Sequence, residues 1–167
     1  RDDRADELID GTTEPKSALI AKITSLKDFF SLLVPNLEAQ EKDNMLSDLD
    51  NVLLNVYTAK GITKDNASVL NPDGSYKTMP LLEDVYEEGS KTEYTYMKPL
   101  LQQLHKFVYG SCKVFNNYTN VDLDNLYTVL DVSNCSKDLL SIVMYIATDF
   151  VLSRSKEDRM QNKIILF

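Results

Sequence analysis

Histidine and cysteine are scarce in this chain of 167 residues: His105 is the single histidine, and Cys112 and Cys135 are the two cysteines. One histidine excludes multi-His metal sites and leaves no spare imidazole for a Ser-His-Asp arrangement. Two cysteines without a CxxC spacing point to reduced thiols in a cytosolic setting, not to a disulfide framework. The five glycines, at 11, 61, 74, 89 and 110, do not supply the Gly-x-x-x-x-Gly-Lys-Ser/Thr loop that cradles a phosphate. No cluster of five or more basic residues occurs, and the net charge is −8, which argues against a nucleic-acid footprint. The longest near-apolar run, Leu139 to Leu152, is broken by Ser141, Thr148 and Asp149 and is too short to cross a bilayer.

What remains is a globular composition, 43 % hydrophobic, long enough for one core or for one domain with an appendage. Residues 1–14 are charged and read as a flexible lead-in. Leu19, Ile23, Leu26, Phe30 and Leu33 then recur at helical spacing, from Pro15 in a first turn to a stop at Pro35. A second helix is expected from near Asn36, with Leu46, Leu49, Leu53 and Val56 on its stripe and Gly61 past its end. The short Pro-Asn link makes the pair an antiparallel hairpin. Asn71-Pro72-Asp73-Gly74 marks a turn inside a loop over 61–79. Pro80 opens a short helix, Leu81 to Glu88, closed by Gly89. A further helix runs from about Glu93 to Tyr109, with Met97, Leu101, Leu104 and Val108 in register.

The pattern changes after residue 120. Leu126 to Val132 is rich in β-branched and aromatic residues and reads as a strand. Ser133, Asn134 and Ser136 are possible caps for the next helix, whose Leu139, Val143, Ile146 and Phe150 share a face. Leu140, Ile142, Ala147 and Val151 widen that stripe, so this helix is expected to pack on more than one side. Lys163-Ile164-Ile165-Leu166-Phe167 reads as a buried strand that stops in mid-course, so the chain is expected to be a piece of a longer protein. Strand, helix, strand is a crossover unit that requires a parallel sheet.

Each group with chemical potential also has a plain structural reading. His105 is expected to be structural or at the surface. Asp122 and Asp124 share a face if extended and could hold a cation, or they sit in a solvated loop. Glu83, Asp84, Glu87 and Glu88 read as the wet face of a short helix. Tyr86, Tyr94, Tyr96, Tyr109 and Tyr118 could stack bases, but without a cationic groove partial burial at helix contacts is the simpler reading. Asp131 stands at the carboxyl end of a predicted parallel strand, where open α/β sheets bind ligands, and equally where a side chain caps the next helix. No metal site is expected.

Gly110-Ser-Cys-Lys-Val-Phe-Asn-Asn-Tyr-Thr-Asn-Val-Asp-Leu-Asp-Asn125, followed by Leu126–Val132, a long helix and Lys163–Phe167, resembles the CagE/TrbE/VirB family of type IV secretion ATPases. That family shows a Phe-Asn…Thr-Asn-Val-Asp pattern before a strand, then a helix, then an Ile/Leu-rich strand running into the Walker B acids. The paired helices 15–34 and 37–60 are similar to the helical segment such proteins carry between Walker A and Walker B. The resemblance implies a mainly α fold: a helical subdomain at 15–120 and, at 121–167, a small strand-helix-strand portion of a RecA-like P-loop NTPase core. Ile164, Ile165, Leu166 and Phe167 match the apolar part of the Walker B strand, while the Walker A lysine and Walker B acids fall outside the chain.

ATP and Mg are implied for the intact parent, an ATP hydrolase, and no cofactor or catalytic residue for this piece. The implied role is that of a part that passes nucleotide-driven motion to neighbours. Its partners would be identical subunits and secretion-channel proteins, with no direct nucleic-acid binding, at the inner face of the cell membrane without a span. The competing reading is a stand-alone acidic helical interaction module. Under either reading an exposed strand at 163–167 seeks a partner. Light scattering is expected to show self-association as concentration rises; a strict monomer at high concentration would contradict it.

Overall fold

The computed structural model describes residues 17–118, 129, 131–133 and 135–157. They form five α-helices: α1 (Ala18–Leu32), α2 (Ala39–Ala59), α3 (Leu82–Gly89), α4 (Lys98–Val108) and α5 (Lys137–Glu157). Short 3-10 turns lie at Asn66–Val69, Thr95–Met97 and Lys113–Phe115. Among the described residues the pairing of Leu70 with Tyr76 is the one β-bridge. The mainly α architecture expected from the sequence is therefore observed.

Helix α2 is the centre. Its Met45, Leu49, Val52 and Leu53 have no exposed surface, and α1 and α3 both pack on it. The α1 stripe meets it as predicted, with Leu19, Ile23, Phe30 and Leu33 buried. Pro35 cannot continue an i→i−4 ladder, so the backbone turns through Leu33 and Val34 and restarts at Ala39, three residues later than the pattern suggested. The end of α2 is a Schellman closure: the Gly61 N–H donates to Thr58 O at 2.8 Å and the Ile62 N–H to Tyr57 O at 3.0 Å. Gly61 has φ +74, and Ile62 and Tyr57 are buried beside it. Burial also pushes the Tyr57 hydroxyl pKa above its ordinary value.

Two differences from the sequence pattern concern α4 and its neighbour. The helix begins at Lys98 instead of near Glu93, because Pro99 occupies the first turn and Thr95–Met97 tighten into a 3-10 turn. Its deepest residues are Leu100, Leu104, Phe107 and Val108, with Leu101 only half-buried. Leu101 instead borders the end of α3, where a Cβ on Gly89 would stand 2.9 Å from Met97 Cε and 3.4 Å from Leu101 Cδ2. The lack of a side chain there lets the two helices approach.

The loop between α2 and α3 is folded on itself. Ser68 Oγ donates to Asp65 O at 2.6 Å and accepts from the Thr63 N–H at 2.7 Å. Asp73 Oδ1 accepts from the Ser75 hydroxyl at 2.6 Å and its N–H at 2.9 Å, which holds the Asp73 carboxyl below its usual pKa. The Asn71–Gly74 turn is as expected, with Gly74 at φ +83.

The predicted strand Lys163–Phe167 lies outside the described residues, as do Leu126–Thr128 and Leu130 of the other. The described Val129, Asp131 and Val132 are not in a strand, and Val129 is largely exposed. Helix α5 also departs from expectation: its one buried side chain among those described is Ile142, whereas Leu140, Ile146, Phe150 and Leu152 are exposed. Among the described elements α5 lies chiefly on α1, which leaves its other sides open.

The substitution Gly61→Ala forces a Cβ into left-handed backbone and should cost about 1–2 kcal/mol. Urea unfolding should show a lower midpoint with an unchanged m value; an unmoved midpoint would contradict this account of the α2 terminus.

Candidate functional site

Of the strand-end and carboxylate candidates read from the sequence, Asp131 is the one among the described residues. Ile164, Ile165, Leu166, Phe167, Asp122 and Asp124 lie outside the described residues. Asp131 is exposed, and its Oδ1 accepts from the Ser133 N–H at 2.9 Å. That bond, with the Ser133 hydroxyl, holds the Asp131 carboxyl below its ordinary pKa. It is an Asx turn four residues ahead of α5, not a cap on the helix itself.

The five tyrosines separate. Tyr86 and Tyr109 meet His105 in an edge-on ring cluster, with centroids 5.4 Å apart between the tyrosines and 5.5 Å from His105 to Tyr109. Desolvation first, and then the charges of Glu83 and Glu87, raise the Tyr109 pKa. Tyr94 lies elsewhere, accepting from Asn55 Nδ2 at 2.9 Å, and Tyr96 and Tyr118 are half exposed.

Helix α3 differs most from its expected role as a solvated acidic face. Asp84 Oδ2 accepts from the Leu81 N–H at 2.7 Å, the returning half of a capping box, and Asp84 Oδ1 pairs with Lys60 at 2.9 Å. That hydrogen-bonded carboxylate raises the Lys60 pKa. Asn116, a buried polar side chain, accepts from the Glu83 N–H at 3.1 Å through its Oδ1. Glu88 pairs with Lys91 at 2.6 Å and accepts from Asn55 Nδ2 at 3.1 Å. Three of these acids or their neighbours thus tie α3 to α2 and to the turn after α4.

A groove of about 380 Å³ lies between α1 and α5. Phe29, Phe107, Phe115, Ile142, Ile146 and Phe150 give it apolar walls, with Phe107 and Phe115 edge to face at 5.8 Å. A polar clasp runs along one rim. Tyr145 Oη donates to Ser25 O at 2.8 Å, Ser25 Oγ donates to Asp149 Oδ1 at 3.3 Å, and Lys22 stands 3.9 Å from Asp149. As the α1 numbers rise the α5 numbers fall, so the two helices run antiparallel. Sequence reasoning missed this site. Periodicity identified the two helices but gave no signal that Ser25 and Tyr145 would meet.

No group of three or more metal-binding side chains gathers among the described residues. No described helix is long and apolar enough to cross a membrane. The half-open apolar groove is a surface for packing against another element.

No protein-family profile and no curated protein matches the chain. Among solved structures it is similar to VirB4 of Thermoanaerobacter pseudethanolicus, with a TM-score of 0.69 and 24 % identity. The match covers 90 % of this chain and 56 % of that one, so the chain spans little more than half of that structure. At this identity the likeness shows a shared fold.

The α2–α3 network sets an acid limit on the fold. The hydrogen bond from Lys91, helped by Asn55 and opposed by desolvation, holds the Glu88 carboxyl below its ordinary pKa. A lowered folded-state pKa contributes stability above the unfolded value that is lost as pH falls, here between about pH 5 and pH 3. Glu88→Gln should flatten part of that slope in urea titrations at several pH values; an unchanged slope would remove Glu88 from the account.

Proposed function

We propose that this chain is the helical subdomain, with an adjoining part of the nucleotide-binding core, of a type IV secretion ATPase. The observation that carries the reading is the VirB4-like fold over most of the chain. It joins the sequence resemblance at Phe115-Asn116 and Thr119–Asp122, which was drawn from different features. The division into a helical subdomain at 15–120 and a core segment at 121–167 is supported by the packing. Among the described residues every buried member of the core but Ile142 comes from residues 19–107, while α5 leans on α1 with Leu140, Ile146 and Phe150 exposed. A crossover helix covers a sheet, and such a face suits that role.

In the intact protein, ATP and Mg would be held by residues beyond this chain. Its own residues do not fit them: the glycines form no phosphate-cradling loop, and the described carboxylates are engaged in caps and ion pairs or lie dispersed. The part played here is mechanical, passing nucleotide-driven movement to identical subunits and secretion-channel proteins at the inner face of the membrane, with no direct DNA contact.

The purified chain should show no ATP turnover and no measurable affinity for Mg-ATP by calorimetry. Tight ATP binding by this chain alone would overturn the reading. The coding sequence should carry a Walker A motif upstream of Arg1 and Asp-Glu directly after Phe167. A stop codon after Phe167 would instead support a stand-alone acidic interaction module.

A further inference from the structure

We propose that α5 is a detachable lever, opening from the α1–α4 bundle as a unit while the bundle stays folded. This stands whether or not the chain belongs to an ATPase. The centre of the core is built by other elements: Met45, Leu49, Val52, Leu53, Met97, Leu100 and Leu104 are all at 0 % exposure, and none is on α5. Among the described side chains of the 21-residue α5, Ile142 is the one buried in that core, with Leu139 packed partly against it.

The polar contacts of α5 with α1 lie along one stripe of α1. Lys22 and Ser25 engage Asp149, Ser25 also takes the Tyr145 hydroxyl, and Phe29 meets the Tyr145 ring at a centroid distance of 6.1 Å. The Lys22–Asp149 pair is one that water can replace, since its side chains are 53 % and 38 % exposed, whereas the two Ser25 bonds are part-buried. Opening α5 exposes Ile142 and the groove wall of Phe107 and Phe115, while Ile146 and Phe150 are already 44 % and 37 % exposed. An element with few buried contacts and solvent-replaceable bonds opens at lower free energy than the whole fold. The clasp then biases a two-state element that any partner binding the released face would shift.

Native-state hydrogen exchange on the whole chain tests this. Amides of residues 140–152 should exchange through a sub-global opening, at least tenfold less protected than those of residues 45–57. Tyr145→Phe, which deletes the hydroxyl bond to Ser25, should speed exchange across α5 by about 3–10-fold and leave α2 unchanged. Asp149→Asn, a milder change at the other end of the clasp, should act in the same direction. Equal protection of α2 and α5, or variants that move both helices together, would overturn the proposal and make α5 part of one cooperative unit.

Discussion

The packing of α2 against its neighbours is the constraint from which the rest of the molecule follows. Four of its side chains, Met45, Leu49, Val52 and Leu53, are wholly excluded from water, and their apolar area is the main favourable term holding the hairpin and α3 in place. Because interiors are close-packed, the positions of α1 and α3 are fixed by the shape of that surface. Met97 and Leu100 reach it from the turn that leads into α4. The Schellman closure at Gly61 then aims the chain back along the bundle, and Ile62 seals the end of the core.

A second layer of polar bonds positions what the core leaves free. Lys60 with Asp84, Asn55 with Glu88, and the Tyr96 N–H donating to Asp48 Oδ2 at 2.9 Å all join α2 to the segment spanning α3 and the start of α4. On the opposite side, Lys27 pairs with Asp50 at 2.9 Å and links α1 to α2. Individually such half-exposed pairs contribute little. Collectively they set the register of helices whose apolar stripes would tolerate some sliding. The interface of α1 with α5 has the polar layer and a shallow apolar one, and there the groove remains.

The helices were readable because their periodicity and punctuation agree. Leu19, Ile23 and Phe30 share a face, Pro35 stops one helix, and Gly61 and Gly89 follow or close two others. The start of α4 was misread because a 3-10 turn at Thr95–Met97 looks like helix in a hydropathy pattern, and only Pro99 hints at the boundary. Asp84 and Glu88 read as solvated in the sequence because their partners, Lys60 and Asn55, belong to α2 and its cap, which periodicity alone does not orient. The groove was illegible for a deeper reason. How an apolar helix such as α5 is covered depends on neighbours, and its composition suggested more of them than the described residues provide.

Two of the helices are finished by residues far away in sequence. The Ala18 N–H at the start of α1 donates to Asn66 Oδ1 at 2.8 Å, 48 residues on, and the Glu83 N–H in α3 is met by Asn116, 33 residues on. Neither α1 nor α3 has a hydrogen-bonded side-chain cap from its own N-cap residue. Each first turn is therefore completed only after the chain has closed a long loop, which ties helix initiation to tertiary assembly. Damage to the loop bearing Asn66 should thus be felt as fraying at the start of α1, so that segments far apart in the chain lose order together.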